Sequence, residues 1–504
     1  MVEFSELEKA RYKKLLLLKE QGMELYPRKT ERTHFSRQAT AAFEQADEEG
    51  EVRADVAGRL QSIRSMGKVL FAHLEDEKGK LQLFLRRDDL GDELFSLFVN
   101  GFDLGDFIQA SGVMFRTRSG EISLRVEHFT ILAKAITPLP AGKEEIVDGE
   151  RKVHSAFTNP EERYRQRYAD LAVNREVREI FWTRARIISA LREFLDEQDF
   201  IEVETPILQP MYGGAAAKPF TTHHHQLHQD LYLRISFELY LKRLLVGGFE
   251  RVYEIGRDFR NEGVSSKHNP EFTQLEFYIA YADYEEVMML TERMVAFAAA
   301  KALGSTQLQY QGETIDLTPP WRRLDLRAAL QEYVQIDIAD YPTRDSLKEI
   351  MAEHGHEPSP KSTRGKLIEA LLSKYVEPAC IQPTIIYDYP RDISPLAKSK
   401  PDDPATVERF EVFVGGMELC NAFTELNDPV DQEQRFQEML RDYDADDTER
   451  HPMDEDYLRA MRYGMPPNGG FGMGIDRLTM LFTDQSTIRE VILFPPLRSK
   501  DSVE

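Results

Sequence analysis

The chain has 504 residues, 41% of them hydrophobic and 30% charged, with a formal net charge of −23. That length exceeds what one hydrophobic core accommodates, so two or more domains are expected. The composition excludes a disordered chain, and the negative balance excludes a protein that coats nucleic acid by bulk attraction; any RNA has to be held by local basic patches. Two cysteines, Cys380 and Cys420, make neither a disulfide framework nor a Cys-x-x-Cys knuckle. The apolar run Leu15-Leu16-Leu17-Leu18 is too short for a signal-peptide core or a membrane span. A reducing, cytoplasmic setting with no membrane partner is expected.

Residues 3–24 read as a helix closed by Gly22 and Pro27, and residues 35–50 as a second, acidic one, so 1–50 is expected to be an N-terminal helical extension. Lys9, Arg11, Lys13, Lys14 and Lys19 crowd the first helix, either as a patch for RNA or as a solvated face. From about residue 51 the pattern changes to short β-like runs at 52–60, 69–74, 81–85, 107–115 and 122–132. Turns fall at Glu77-Lys78-Gly79 and Arg118-Ser119-Gly120, and a helical piece near 91–99. These strands, over 51–137, predict a five-stranded β-barrel of the oligonucleotide-binding (OB) type. The prolines, glycines and charges from Pro138 onward predict a linker, 138–165.

An α+β domain is expected over 166–500. It opens with an amphipathic helix at 172–198, then the strand Phe200-Ile201-Glu202-Val203-Glu204-Thr205-Pro206, ended by its proline. Strands near 231–235, 251–255 and 272–279 alternate with helices at 237–247 and 284–303. Residues 321–379 read as helical, with an insertion at about 325–380; strands follow near 384–387 and 409–420, and a helix begins near Ile475.

Three segments carry chemistry. Phe259-Arg260-Asn261-Glu262, followed by Ser265-Ser266-Lys267-His268-Asn269-Pro270-Glu271-Phe272, offers an arginine fork suited to phosphate and an aromatic face suited to a purine. The same residues also suit an ordinary Arg260–Glu262 ion pair with Phe272 in the core. Gly469-Gly470-Phe471-Gly472-Met473-Gly474 precedes the helix that carries Arg477, so backbone can pass close to a ligand there. That run does not match Gly-x-Gly-x-x-Gly and has no apolar strand directly before it. Glu411 and Glu418 lie seven residues apart and, by themselves, read as solvated charges. His223-His224-His225 with His228 invites a zinc reading, against which no Cys ligand lies nearby.

The strand-to-proline element at 200–206, Phe-Arg-x-Glu at 259–262 and Gly-x-Gly-x-Asp-Arg at 472–477 have the order and spacing of the three signatures of class II aminoacyl-tRNA synthetases. The chain resembles that family from about residue 1 to 500. A barrel ahead of the catalytic domain resembles the subgroup that loads aspartate, asparagine and lysine. The string Tyr212-Gly213-Gly214-Ala215 and residues 260–273, 416–428 and 474–478 resemble the bacterial type of lysyl-tRNA synthetase. The resemblance implies a catalytic domain built on an antiparallel sheet flanked by helices, and a ligase that takes ATP and L-lysine as substrates, Mg²⁺ as cofactor and tRNA(Lys) as partner.

Residue by residue, the resemblance implies that Arg260 and Arg477 clamp ATP phosphates, Glu262 and His268 hold the nucleotide, and Phe272 stacks on adenine. Glu411 and Glu418 match Mg²⁺ ligands, with Glu411 also at the ATP. Gly214, Glu238, Glu276, Tyr278, Asn421, Phe423 and Glu425 match the amino-acid pocket, and Phe71, Gln82 and Glu127 the positions that read the anticodon. Arg59, Arg64, Lys68, Arg86 and Arg87 are candidate RNA-backbone contacts. Ser236-Phe237 departs from the small residue and proline expected before Glu238. The first signature implies a homodimer through 172–206. The alternative is a lysyltransferase that modifies a protein or lipid acceptor; such relatives lack the barrel or carry membrane spans.

Overall fold

The structure, a computed structural model, describes residues 4–47, 50–140, 143–147, 150–154, 157–356, 362–442 and 452–498. The expected segment ends at 1–3, 48–49 and 499–500, and the insertion residues 357–361, lie outside the described residues. The chain forms two compact units, Met1–Asn159 and Pro160–Glu504.

In the first unit, strands alternate buried and outward positions, as Ala54, Val56 and Leu60 do in Arg53–Met66 and Ile108, Ala110 and Met114 in Phe107–Arg116. That period of two rolls the sheet around its apolar face. Five strands close in the order Arg53–Met66, Val69–Glu75, Lys80–Arg86, Ile122–Ala133, Phe107–Arg116. Closure is made by the long first strand: residues 53–59 pair with Phe107–Arg116, and residues 59–66 with Val69–Glu75 across a bulge between Leu60 and Ser62. The opening helix is Glu6–Glu20, started by a Ser5/Glu8 capping box. Two of its basic residues are structural: Arg11 donates to the Leu104 and Ala135 carbonyls, and Lys14 pairs with Asp103 at 2.6 Å. The second helix is Ser36–Gln45, and the short helical piece is Asp92–Gly101. The stretch expected as a linker contains a two-stranded ribbon, Lys143–Val147 with Glu150–His154, and a helix, Pro160–Arg165.

The second unit is built on an eight-stranded sheet, in the order Arg322–Asp325, Thr384–Pro390, Thr406–Val414, Met417–Thr424, Asn468–Gly474, Glu271–Ala280, Arg251–Phe259, Ile201–Glu202. Only the two edge pairs are parallel. The helices Arg175–Asp196 and Tyr284–Leu303 and the helix Ile475–Phe482 contribute Ile187, Leu191, Val295, Ala298 and Leu478 to the core that also takes Leu275, Phe277, Phe410 and Phe471 from the sheet. Asp283 caps Tyr284–Leu303 by accepting from the Glu285 and Glu286 amides.

Three expectations are corrected. Arg322–Asp325, expected as helical, is an edge strand, and the helices of that stretch are Leu326–Val334, Arg344–Glu353 and Arg364–Leu371. The run 409–420 is two strands, Thr406–Val414 and Met417–Thr424, because Gly415 and Gly416 take φ of +60° and +71° and reverse the chain. The glycine-rich run 468–474 is itself a central strand and not a loop between strand and helix.

Candidate functional site

The middle of the sheet carries two cavities that share Arg260, Gln274, Asn421 and Gly472 in their linings. The smaller, about 180 Å³, is lined by Arg260, Glu262, His268, Phe272, Glu418 and Arg477, among others. Arg260 ends the strand Arg251–Phe259; its guanidinium lies 5.1 Å from the Phe272 ring centre, and its Nε donates to the Ile235 carbonyl at 3.3 Å. The Arg260–Glu262 pairing considered above is therefore not what fixes Arg260. Arg477 stands in the first turn of Ile475–Phe482. Its Nη1 donates to the Glu418 carbonyl at 2.7 Å and to Glu418 Oε2 at 3.0 Å, and its Nη2 meets His268 Nε2 at 3.2 Å. Burial and the neighbouring Arg477 push the His268 ring below its usual pKa, so it is neutral and accepts from the guanidinium.

The start of that helix is anchored from behind. Asp476 accepts from the Thr273 amide at 2.7 Å and pairs with Arg184 at 2.6 Å, and Arg184 also donates to Thr273 Oγ1. Lys267 ties the polar loop to Glu377 and to the Gly416 carbonyl.

Glu411 and Glu418 stand on the two arms of the Gly415–Gly416 hairpin, with a bulge between Val412 and Phe413. Glu411 accepts from Tyr389 at 3.0 Å and pairs with Arg409 at 2.6 Å. Burial pushes its carboxyl up to about 7 against the pull of Arg409, and the Glu418 charge adds to the rise. Burial acts upward on Glu418 as well, but Arg477, Arg409 and Arg260 together outweigh it and hold that carboxylate below its ordinary range. Glu411 lies behind the site and lines neither cavity. Among the described residues no three His, Cys, Asp or Glu side chains converge as a metal-binding group.

The larger cavity, about 380 Å³, gathers all seven residues assigned to the amino-acid pocket: Gly214, Glu238, Glu276, Tyr278, Asn421, Phe423 and Glu425. Glu276 Oε1 accepts from Ser236 Oγ at 2.9 Å and faces the Phe237 amide, while Oε2 accepts from the Tyr278 hydroxyl at 3.2 Å. Burial, then the charges of Asp258 and Glu238, push the Glu276 carboxyl well above its usual range. Glu238 and Glu425 are raised too, chiefly by burial and against the pull of Lys242. The Ser236-Phe237 departure is accommodated: the serine hydroxyl serves Glu276, and Phe237 turns into a small core with Leu241, Leu245, Val252 and Tyr278. Gly470 explains why glycines run through this strand, since a β-carbon there would collide with the Glu425 carboxylate and come within 2.6 Å of the Tyr278 ring. Gly470→Ala is accordingly expected to raise the KM for the amino-acid substrate by about tenfold or more while the fold holds, measured by amino-acid-dependent ATP–pyrophosphate exchange.

Sequence reasoning missed Lys242 and Arg409, and noted Ser236 only as a departure in the pocket wall, not as a partner of Glu276. Arg409 donates to Asn421 Oδ1 at 3.0 Å and, like Lys242, is a buried cation on an element whose charges read as solvent-facing. Lys366 and Glu369, from the helix Arg364–Leu371, also line the cavity. The histidine cluster lies on an exposed hairpin, Thr221–His224 with Gln229–Leu233, where His223 pairs with Asp230.

On the barrel, Phe71 is half-buried outside the core. Its ring centre is 5.3 Å from that of Phe84, which is 5.3 Å from that of Phe115, so three rings form an aromatic strip. Gln82 donates to Glu121 at 2.7 Å and accepts from Ser123 at 2.8 Å, and His73 faces Glu121 at 3.3 Å. Glu127 is not brought to this cluster. It sits at a bulge in Ile122–Ala133, paired with Arg53, about 13 Å further along the strand than Ser123. The carboxylate beside Gln82 is Glu121. Of the candidate backbone contacts, Arg64 and Lys68 are exposed, Arg59 lies over the Phe107 ring, and Arg86 and Arg87 pair with Asp89 and Asp92.

An aromatic face, two arginines and a neutral histidine adjoining an acidic cavity suit a nucleotide joined to a small cationic molecule. The family described as tRNA synthetases class II (D, K and N) matches residues 159–498, and the chain belongs to it. An OB-fold nucleic acid binding domain matches residues 54–132. Along 99% of its length the chain is 52% identical to the lysine–tRNA ligase of Roseiflexus castenholzii, of which it covers 100%. It is 50% identical to those of Chloroflexus aurantiacus and Moorella thermoacetica, covering 99% of each.

Proposed function

We propose that the chain is a lysine–tRNA ligase: L-lysine reacts with ATP to give lysyl-adenylate and pyrophosphate, and the lysyl group then passes to the 3′-terminal adenosine of tRNA(Lys), releasing AMP. The observation that carries this reading is the junction of the two cavities at Arg260, with three carboxylates on one side and Phe272, His268 and Arg477 on the other. Lysine in the acidic cavity presents its carboxylate toward Arg260 and the α-phosphate of ATP. Arg260 and Arg477 neutralise charge that grows on that phosphate during attack, Phe272 stacks on adenine, and Glu262 and His268 hold the nucleotide. Phe423 lines the path of the aliphatic stem.

Glu418 lines the nucleotide cavity and Glu411 stands behind it, its carboxyl raised in part by the Glu418 charge, so the pair would hold a Mg²⁺ ion that draws its other ligands from phosphate and water, with Glu418 the nearer donor. Bound there, the ion would offset phosphate charge. Exchange of ATP with pyrophosphate, assayed with each of the twenty amino acids, is expected to require lysine. Robust exchange with aspartate or asparagine instead would overturn the assignment of substrate.

The barrel, over 51–137, is proposed as the anticodon-binding domain, with 1–50 as its helical extension, 138–165 as the connection and 166–500 as the catalytic domain. Gln82→Ala and Glu121→Ala are each expected to leave lysine-dependent exchange within about twofold while lowering kcat/KM for tRNA by about tenfold or more; Phe71→Ala should act likewise through lost stacking. Glu127→Ala should have the smallest effect of the four. Equal losses in both half-reactions would show a folding defect instead. The region 172–206 is proposed as a homodimer interface, which its exposed Trp182 and Ile201, with Ile207 and Leu208 just beyond, support. Sedimentation should then give twice the 58.2 kDa chain mass. No helix among the described residues is long and apolar enough to cross a membrane, and we place the enzyme in the cytoplasm.

A further inference from the structure

Lys242 lies one turn after Glu238 on the helix Glu238–Val246, and its side chain has no solvent exposure. Its Nζ stands 2.5 Å from Glu238 Oε1 and also pairs with Glu425. Two aromatic rings complete its surroundings, with the Nζ 5.5 Å from the centre of Phe423 and 6.0 Å from that of Tyr278. A lysine ammonium is thus already clamped between two of the three pocket carboxylates before any substrate arrives.

The groups that face this ammonium come from several elements. Glu238 is on its own helix, Glu425 follows the strand Met417–Thr424, Tyr278 comes from Glu271–Ala280 with Glu276 beyond it, and Tyr457 comes from Glu455–Arg462. Arg409, from Thr406–Val414, faces Glu238. Arg243, next on the helix, turns away to Asp454 at 2.8 Å. Burial alone would strip Lys242 of its proton, but Glu238 and Glu425 outweigh it and hold the group charged. Glu425 is 1% exposed; its Oε2 pairs with Lys242, and its Oε1 has no hydrogen-bond partner. It therefore keeps acceptor capacity for a donor that enters the cavity it lines.

The three carboxylates Glu238, Glu276 and Glu425 carry three formal negative charges and Lys242 offsets one of them, in a lining that also holds Arg260, Arg409, Lys366, Glu369 and Asp392. Free lysine brings two ammonium groups, and its carboxylate is directed to Arg260. We propose that Lys242 is a built-in counter-ion that offsets one of the three carboxylate charges awaiting the substrate's ammonium groups, and is thereby a specificity-determining positioning residue acting through Glu238 and Glu425. The proposal rests on the lysine-pocket reading given above. Without Lys242, three carboxylates would face one another with no ammonium between them, and the protonation that burial already favours at Glu276 would extend to Glu238 or Glu425, a further proton that the substrate must expel on binding.

The test is K242M, which keeps the length of the stem and removes the charge. Lysine kcat/KM is read by ATP–pyrophosphate exchange from pH 6 to 8.5, with ATP KM measured alongside. Relative to wild type, the variant is expected to lose about a hundredfold at pH 6.5 and to recover about tenfold of that by pH 8.5, with ATP KM moved by less than about threefold. The double variant K242M/E238Q removes one charge of each sign, so its pH profile should return to the shape of the wild-type profile. If K242M does not fold, the double variant carries the test alone, and an alkaline-shifted profile in it overturns the proposal. A K242M profile of wild-type shape, however reduced in height, also overturns it by reducing Lys242 to packing. Failure of the pocket reading looks different: E276Q would then leave lysine KM unchanged.

Discussion

Arg477→Ala and Arg260→Ala are each expected to slow lysine-dependent ATP–pyrophosphate exchange by about 10²–10³-fold, the usual cost of removing one preorganised donor from a developing charge. The structure gives the reason for so large an effect. Arg477 is held at three points, by the Glu418 carbonyl, the Glu418 carboxylate and His268, so its guanidinium needs no reordering when ATP enters. Arg260 is held by the Ile235 carbonyl and lies over Phe272. Arg477→Lys keeps the charge but loses the fork, and should recover only part of the rate. Rapid-quench measurement of adenylate formation, beside thermal melts that establish folding, separates chemistry from stability. Exchange within about threefold of wild type in either alanine variant would remove that arginine from the phosphate site.

The sequence made the site's parts visible but not their joining surfaces. Alternation of apolar residues located four of the five barrel strands to within one residue, since each has one buried face; the first, expected at 52–60, continues beyond its bulge to Met66. Arg260, Phe272 and Arg477 were legible because they sit in strings whose order is diagnostic. Strand Asn468–Gly474 was hidden because glycine scores against β structure; Gly470 leaves room for Glu425 and Tyr278, and Gly469 for Val287, all from other elements. The turn at Gly415–Gly416 was masked by the mainly apolar residues on both sides, Val412-Phe413-Val414 before it and Met417, Leu419 and Cys420 after it. Glu121 and Glu127 are both plausible partners for Gln82 on composition, and only the parallel pairing of Gln82 with Ser123 puts Glu121 beside it. Lys242 and Arg409 were overlooked for a related reason: a cation on an amphipathic element reads as solvated until distant carboxylates are brought to it.

Glu276→Gln is expected to raise the KM for lysine by about a hundredfold or more, because a buried ammonium left without a charged partner costs about 3–5 kcal/mol. The substitution is close to isosteric. The amide oxygen can still accept from Ser236 and the Phe237 amide, and its nitrogen can donate to the Tyr278 hydroxyl, so the fold should hold. The pH dependence follows from direction. Burial, Asp258 and Glu238 raise the Glu276 carboxyl in the free site, so part of the enzyme holds a proton there that an incoming ammonium must displace. Lysine binding should therefore release protons, and wild-type lysine KM should fall as pH rises through the raised value; Glu276→Gln should flatten that slope. Stability has the opposite sign. A carboxyl whose folded pKa lies above its unfolded value costs the fold stability as pH rises between the two, so Glu276→Gln should melt less pH-dependently than wild type without substrate. Calorimetric titration of lysine in two buffers of different ionisation enthalpy measures the released protons directly. Aspartate should give no exchange in either protein, since three carboxylates repel its side chain. A variant that keeps wild-type lysine KM, or a wild type that binds lysine without proton release, would place the ammonium elsewhere in the cavity.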